Sequence, residues 1–241
     1  MNCSPHQTAQ YAADIAPVQE VSLVGTANRS YWADRLNPFG LLPQQFDGAA
    51  RLVISAMQSK FLGLTFREVC IAVAAQCPKS DGGASDALFL LQAFNSSRLF
   101  AFSERVLFST PYRHARIDVA LKESATFRIP GEAAPRIDAH FDAGRRRSQG
   151  PIRTCEVRWE GPIFLPGSNS PGIARPQFFR ARIAGLTTVW RFDGSADRFE
   201  LATHDKLPIF AELHESGFAP REWQLRPFAR HSRSKTFTAV E

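Results

Sequence analysis

The sequence has no long hydrophobic run. Its longest apolar stretches include Val69 to Ala75 and Ala87 to Leu91, and both are far shorter than the ~18 to 20 residues that a membrane-spanning helix needs. The first residues, Met1 to Gln19, also lack the basic start and the apolar segment of a secretory signal. These absences predict a chain without a membrane span that stays in the cytoplasm.

Cysteine is scarce, and its spacing matches no known site. The four cysteines form no C-x-x-C motif and the six histidines have no metal-ligand spacing, so we expect reduced thiols and neither a metal site nor a redox site. The sequence also lacks the G-x-G-x-x-G, P-loop, H-E-x-x-H and G-x-S-x-G patterns, which removes the commonest nucleotide-binding and zinc-hydrolase classes. We therefore predict no cofactor. The cysteines are Cys3, Cys70, Cys77 and Cys155.

An acidic excess is also missing, since 29 Lys and Arg against 23 Asp and Glu give a net charge of +6. The basic residues are scattered apart from the run Arg145 to Arg147, which has only Phe141 as a nearby aromatic. Two stretches without periodicity, Pro130 to Pro151 and Pro162 to Pro176, are predicted to be long surface loops that cover a pocket mouth. We expect the arginine run to be a solvated part of the first loop, and a nucleic-acid contact is the less favoured alternative.

The length and the hydrophobic content of the chain are typical of one folded domain. At 241 residues and 44% hydrophobic, the chain can bury a sizeable core. Residues 1–20 are polar and predict a flexible arm before a single domain over 21–241, with order beginning near Val21. Ala33 to Leu42 fits a short helix that Pro38 interrupts. The chain beyond it contains many short strand patterns separated by turns, so we predict an α+β fold dominated by antiparallel β-structure with few short helices.

The predicted strand Arg67 to Ala75 has two unequal faces. Alternation puts small side chains beside Glu68 on one face and bulky apolar side chains on the other. The small residues are Cys70, Ala72 and Ala74. Small side chains next to a carboxylate leave room for a ligand, which makes Glu68 a candidate pocket residue. The alternative is a solvated glutamate on an edge strand.

The densest group of functional side chains lies between Glu104 and His114. Arg105 is predicted to end an apolar strand, and a turn led by Pro111 then presents a phenol, a guanidinium and an imidazole in succession. These three groups belong to Tyr112, Arg113 and His114. Such a turn could bind a carboxylate. The alternative is that Tyr112 packs in the interior while the two basic residues face water.

Taken in order from about Asn28 to Phe228, these segments resemble the acetoacetate decarboxylase family. Asn28 to Trp32 is similar to the family's Asn-Arg-Glu-Tyr-Phe segment, and Leu62 to Glu68 is similar to its Leu-Gly-x-Tyr-x-Glu strand start. Glu104 to Arg113 is similar to its Gly-Arg-Glu-Leu strand end and Tyr-Pro-Lys-Lys turn. The resemblance implies the family's barrel or curved sheet around a small-molecule pocket. It also implies that Arg29, Glu68 and Arg105 are pocket residues and that the protein is a homo-oligomer.

The chain departs from this pattern at the family's nucleophile. The two lysines of the turn fall on Tyr112 and Arg113, neither of which can form the imine that the family's lysine makes with a carbonyl substrate. Lys60, in the loop before Glu68, is the one weak replacement candidate. The resemblance therefore predicts this fold with different chemistry, or with none.

Two hypotheses follow. In the first, the pocket binds a keto acid or related carboxylate and acts on it by imine-free acid/base chemistry of lyase, isomerase or cyclase type. Its catalytic groups would be Glu68, Tyr112 and His114, and its substrate-binding groups Arg29, Arg105 and Arg113. In the second, the protein kept the fold as a non-catalytic ligand-binding or accessory protein.

Overall fold

The computed structural model describes residues 10–78, 82–122, 124–132, 135–146, 150–166, 177–202 and 207–238. The strands are β1 Tyr11–Ala27, β2 Leu42–Pro43, β3 Gln45–Phe46, β4 Ala49–Phe61, β5 Leu64–Pro78, β6 Ala84–Asn95, β7 Tyr112–His114, β8 Asp118–Leu121, β9 Ser124–Ile129, β10 Ile137–Asp142, β11 Arg153–Leu165, β12 Gln177–Arg191, β13 Arg198–Leu201 and β14 Ala219–Thr238. The helices are α1 Arg29–Leu36, α2 Arg98–Leu107 and α3 Pro208–Glu215, with short 3-10 turns at Asn37–Phe39 and Gly144–Arg146.

Seven long strands form a curved sheet that returns on itself. Their order is β5, β4, β1, β14, β12, β11 and β6, and β6 pairs again with β5. All of these pairings are antiparallel except that of β11 with β6, which is parallel and extends over only two residue pairs. The result is a ring of curved sheet rather than a regular barrel. The predicted antiparallel-rich fold with few short helices is confirmed.

The outward face of the ring packs the main core. A second sheet, ordered β13, β10, β9 and β8, covers part of this face, and Phe127 and Phe141 from it contact the fully buried Trp223 of β14. In β5, Val69, Ile71 and Val73 are fully buried in this core. The opposite face of the ring encloses a cavity.

Helix α1 forms where the sequence predicted a short helix, but it starts earlier. Asn28 caps it, because its side-chain oxygen accepts a hydrogen bond from the backbone nitrogen of Tyr31 at 3.0 Å. The helix buries Trp32 and Leu36, and the chain then turns as a 3-10 segment that contains Pro38. None of the helices among the described residues is long and apolar enough to cross a membrane.

The expected flexible arm over 1–20 was too long. Strand β1 begins at Tyr11 and pairs with β14 from that residue on, so residues 11–20 belong to the sheet, and residues 1–9 lie outside the described residues. The strand escaped sequence analysis because its first part, Tyr11 to Gln19, mixes alanine, proline and polar residues without apolar alternation. Strand β14 was also missed.

The arginine run was also misjudged in part. Arg146 is buried rather than solvated, pairs with Asp197, and lies over the ring of Phe141 at 5.1 Å. Asp197 in turn accepts a hydrogen bond from the Trp223 indole at 2.9 Å. Arg145 is exposed, and Arg147 lies outside the described residues. Arg146 therefore has a structural partner inside the protein.

The predicted loop Pro130 to Pro151 also differs from the prediction, because it contains β10, an ordered strand of the second sheet.

The thiols are not all reduced, since Cys77 is disulfide-bonded. Cys70 and Cys155 are free, and only Cys155 is exposed. Among the described residues, no group of three or more His, Cys, Asp or Glu side chains could hold a metal ion.

Candidate functional site

The interior of the ring holds a cavity of about 630 Å³. Most of its wall is apolar, with contributions from Met57, Phe66, Leu90, Trp159, Ile163 and Phe179 among others. Two hydrogen-bonded clusters of polar side chains interrupt this wall, and further polar residues such as Arg51, Arg153 and Arg182 line it elsewhere. The Glu68 cluster consists of Glu68, Cys70, Asn95, Glu104, Tyr112 and Arg233, and the Glu20 cluster consists of Glu20, Ser22, Ser55, Thr187, Gln224, Arg226 and His231.

Glu68 lies on β5 with its side chain toward the cavity, as the alternation of that strand predicted. It is only 9% exposed, which argues against the solvated-edge alternative. Its carboxyl group accepts hydrogen bonds from the Cys70 thiol and from the side-chain nitrogen of Asn95, each at 3.2 Å. Both donors are neutral. Burial raises the pKa of Glu68, and the nearby Glu104 carboxylate raises it further. The site therefore favours the protonated form of Glu68.

Tyr112 lies beside Glu68 because β7 runs parallel to β6, with Tyr112 opposite Ala93. The chain reaches β7 from α2 through Ser109, which adopts a left-handed φ of 54°, and the Gln92 side chain holds the carbonyl of Pro111. The Tyr112 hydroxyl is 4.0 Å from the Cys70 sulfur. Burial, with Cys70 and Glu68 nearby, raises the pKa of Tyr112 well above its usual value. Tyr112 thus presents a protonated phenol to the cavity.

Helix α2 replaces the strand predicted at this point, and this changes the direction of Arg105. The helix begins after Ser97, whose hydroxyl oxygen accepts a hydrogen bond from the backbone nitrogen of Phe100 at 3.4 Å. Successive helical residues are rotated by about 100°, so neighbours point in different directions. Glu104 consequently lines the cavity, whereas Arg105 is exposed and does not.

Arg233 of β14 supplies the positive charge in the Glu68 cluster. One of its terminal nitrogens, Nη1, pairs with Glu104, and its guanidinium lies 4.1 Å from the ring centre of Phe179 and 4.8 Å from that of Phe108. Its other terminal nitrogen, Nη2, is buried without a hydrogen-bond partner among the described residues. An unsatisfied buried donor is uncommon and marks a place where an acceptor is missing.

The remaining predicted site residues lie elsewhere. Arg105, Arg113 and His114 line a separate pocket of about 320 Å³, together with Arg136, Phe94 and Leu207. Arg29 is exposed at the start of α1 and lines neither pocket. The structure therefore brings together Glu68 and Tyr112 and separates both from the other four residues. The functional roles assigned to these four stay predictions.

Lysine is missing from the described part of the cavity wall. Lys60 lies on β4, is exposed, and does not line the cavity, and neither does Lys122 or Lys235. Lys79 and Lys206 fall outside the described residues. The position of the family's imine-forming lysine is thus occupied by Tyr112 with no described lysine beside it.

The Glu20 cluster is a buried network of charges. Glu20, which is 2% exposed, accepts hydrogen bonds from Arg226 at 2.6 Å and from Ser22 at 2.7 Å. Its second oxygen is 2.8 Å from Nε2 of His231. Burial alone would raise the pKa of Glu20, but Arg226 and His231 outweigh burial and hold it well below its usual value. Glu20 is therefore ionised.

Sequence analysis missed Arg233 and the whole Glu20 cluster. Arg226, His231 and Arg233 lie on β14, and Glu20 lies in the segment assigned to the flexible arm. One signal was available: Glu222, Gln224 and Arg226 alternate along the chain with the apolar Trp223 and Leu225. That alternation is the mark of a strand with one polar face.

Comparison with known proteins gives matches in structure only. No protein-family model and no curated protein matches the sequence. An acetoacetate decarboxylase from Legionella pneumophila superposes with a TM-score of 0.62 at 10% identity, over 98% of this chain and 92% of that one. A second structure, described as acetoacetate decarboxylase, gives 0.59 at 13% identity over 98% and 96% of the two chains.

A third solved structure is an enduracididine biosynthesis enzyme, MppR, in complex with the condensation product of pyruvate and imidazole 4-carboxaldehyde. It superposes with a TM-score of 0.60 at 11% identity, over 97% of this chain and 92% of that one. In each case the structural similarity extends over nearly the whole of both chains. The fold of this protein is therefore the acetoacetate decarboxylase-like fold, as the order of its sequence segments predicted.

Proposed function

We propose that this protein binds a small keto acid or related carboxylate in the ring cavity and acts on it by imine-free acid/base chemistry at Glu68. The observation that carries the proposal is the buried Glu68 carboxyl group on the wall of a mostly apolar cavity, with only neutral hydrogen-bond donors. A carboxyl group held in its protonated form can donate to a carbonyl oxygen as negative charge develops there.

Arg233 is the proposed anchor for the carboxylate of the ligand. It lines the cavity within the Glu68 cluster, and a guanidinium can donate paired hydrogen bonds to a carboxylate. Stacking between Phe108 and Phe179 holds the guanidinium plane in place. Arg233 thus takes the role that sequence analysis gave to Arg29, Arg105 and Arg113.

The structural neighbour solved with a pyruvate condensation product supports the ligand class. Pyruvate is itself a small keto acid, and the cavity of about 630 Å³ is large enough for such a ligand with room to spare. The absence of lysine from the described part of the cavity wall supports an imine-free step in this chain.

Solvent exchange of the methyl protons of pyruvate tests the proposal. Enolisation in D₂O replaces these protons with deuterium, and proton NMR follows the loss of signal without any knowledge of the natural product. We expect exchange by the wild-type protein and a loss of about 100-fold or more in Glu68→Gln, as is typical for removal of a general acid or base. Glu156→Gln is the matched control, because Glu156 is exposed and does not line the cavity.

Borohydride reduction in the presence of pyruvate tests the imine-free part. No covalent gain of mass on the protein is expected. A stable pyruvate adduct on any lysine would contradict this part of the proposal.

Non-catalytic binding is the second candidate, and the predominantly apolar wall of the cavity favours it. It predicts saturable pyruvate binding by calorimetry with no exchange in the wild-type protein. It also predicts an affinity that Glu68→Gln leaves unchanged.

A further inference from the structure

The Glu20 cluster has a polar group that faces the cavity and that the proposed function does not use. His231 lines the cavity with its side chain 19% exposed. Its Nε2 is 2.8 Å from the Glu20 carboxylate, and its Nδ1 has no hydrogen-bond partner among the described residues. A carboxylate can only accept, so Nε2 must carry the proton toward Glu20. In the neutral ring this leaves the lone pair on Nδ1.

Strand register places this histidine pair and Glu68 on the same interior wall. Glu20 of β1 is opposite Met57 of β4, and Met57 is opposite Glu68 of β5. Residues directly opposite each other in a sheet project to the same face, and two strand spacings separate their backbones by about 10 Å. All three residues line the cavity. The Glu20 and Glu68 carboxyl groups therefore lie on one wall of the cavity with the apolar Met57 between them, and His231 lies on β14, opposite Ile15 of β1.

The rest of the cluster fixes the carboxylate that orients the His231 ring. Arg226 donates Nη1 to Glu20, Nε to Thr187 at 2.9 Å and Nη2 to Gln224 at 2.9 Å. These contacts hold the Glu20 carboxylate in its charged form beside the imidazole. A fixed carboxylate on one ring nitrogen orients the ring and stabilises the imidazolium that forms when the other nitrogen gains a proton.

We propose that His231, oriented by Glu20, is the general base of the cavity and works opposite Glu68 as the acid. This inference rests on the proposed function. In the step, a carbon–hydrogen bond of the carbon next to the keto carbonyl, the methyl group in pyruvate, breaks and its proton bonds to Nδ1 of His231. The electron pair of that bond forms the carbon–carbon double bond, and the carbonyl oxygen takes the proton of Glu68 to give the enol. In the reverse step the imidazolium returns its proton to the carbon and the Glu68 carboxylate takes back the enol proton, so nothing else is consumed.

The exchange assay in D₂O, run on His231→Gln, tests the base directly. Glutamine can still donate to Glu20 but cannot accept the proton from the methyl carbon. We expect the exchange of pyruvate methyl protons to fall about 100-fold or more, while pyruvate binding by calorimetry is retained. His214→Gln is the matched control, because His214 is exposed on α3 and lines neither pocket.

The outcomes separate the two proposals. If Glu68→Gln abolishes exchange and His231→Gln leaves it intact, His231 is not the base, the Glu20 cluster is structural, and the proposed function stands. If the wild-type protein shows no exchange, both the acid/base function and the base are overturned.

Alkylation of the wild-type protein by bromopyruvate needs no variant. The reagent's halogen-bearing carbon bonds to Nδ1 and bromide leaves, so peptide mass mapping should find modified His231 that excess pyruvate protects. An unmodified His231, or modification that pyruvate does not reduce, would overturn the inference even if the variants fold poorly.

Discussion

Glu20 and Glu68 are buried on the wall of the same cavity, two strands apart on one cross-strand row, yet their surroundings drive them toward opposite charge states. Burial raises the pKa of both carboxyl groups. Arg226 and His231 reverse this effect at Glu20, whereas Glu68 has only neutral donors and the like charge of Glu104 nearby. Burial alone therefore does not decide whether a carboxyl group is ionised. Its partners on the adjoining strands decide this.

The difference has a functional meaning. A pair of titratable groups whose environments push their pKa values apart is the arrangement that acid/base chemistry needs near neutral pH. In this cavity Glu20, whose pKa is lowered, lies in a closed network of hydrogen bonds, and Glu68, whose pKa is raised, faces a mostly apolar wall.

The largest effect is expected from Glu20→Gln. This change leaves the buried guanidinium of Arg226 without its counter-charge, and loss of one partner of a buried ion pair typically lowers stability by about 3–5 kcal/mol. Urea unfolding followed by circular dichroism measures the loss. Glu156→Gln serves as the exposed control and should unfold like the wild type. An unchanged midpoint for Glu20→Gln would show that the network contributes little to the fold.

A smaller effect is expected when the free energy of unfolding is measured against pH. The contributions of Glu20 and Glu68 should have opposite signs. The folded-state pKa of Glu20 is lowered, so its stabilisation is present above the unfolded value near 4.5 and is lost as the pH falls below it. The folded-state pKa of Glu68 is raised, so its contribution is fully present below the unfolded value of 4.5 and is lost as the pH rises through the folded value.

Unfolding curves from about pH 2 to 8 should therefore show two opposite slopes, with that of Glu20 below the unfolded value of 4.5. Glu20→Gln should flatten the acid side of the profile, and Glu68→Gln should make the protein relatively more stable toward the alkaline side. Parallel profiles for the two variants would contradict the different charge states assigned to the two carboxyl groups.

The smallest effect is expected on the affinity for pyruvate, which distinguishes the ring cavity from the separate pocket. Arg233→Met should weaken pyruvate binding by about 1.5–3 kcal/mol, the usual value of a hydrogen bond between charged groups. Arg105→Ala and Arg113→Ala should leave the affinity unchanged, because both residues line the separate pocket. Calorimetry with Arg230→Met as the exposed control measures these changes. Weaker binding in the Arg105 or Arg113 variant would restore the roles that sequence analysis gave them.

Sequence analysis found the part of the site whose signal is local. The alternation from Glu68 to Ala74 is contained in one strand, and it correctly predicted a small-sided face with one carboxyl group toward a cavity. The order of the family-like segments predicted the fold, and the turn at Pro111 and Tyr112 marked the position of the missing lysine. Each of these inferences needs only neighbouring residues or their order along the chain.

The rest depended on contacts between distant segments. Glu104 and Arg105 are adjacent in the sequence, but the helix directs one into the cavity and the other to a separate pocket. Glu20 and His231 are separated by nearly the whole chain and meet only because β1 pairs with β14.

By itself, then, the sequence determined a β-rich fold, a cavity-facing Glu68 and the absence of a lysine at the turn after α2. Tertiary structure alone decided which charges meet inside the ring. The physical reason is that charged side chains on the inner face of one strand find their partners on other strands only when the sheet closes.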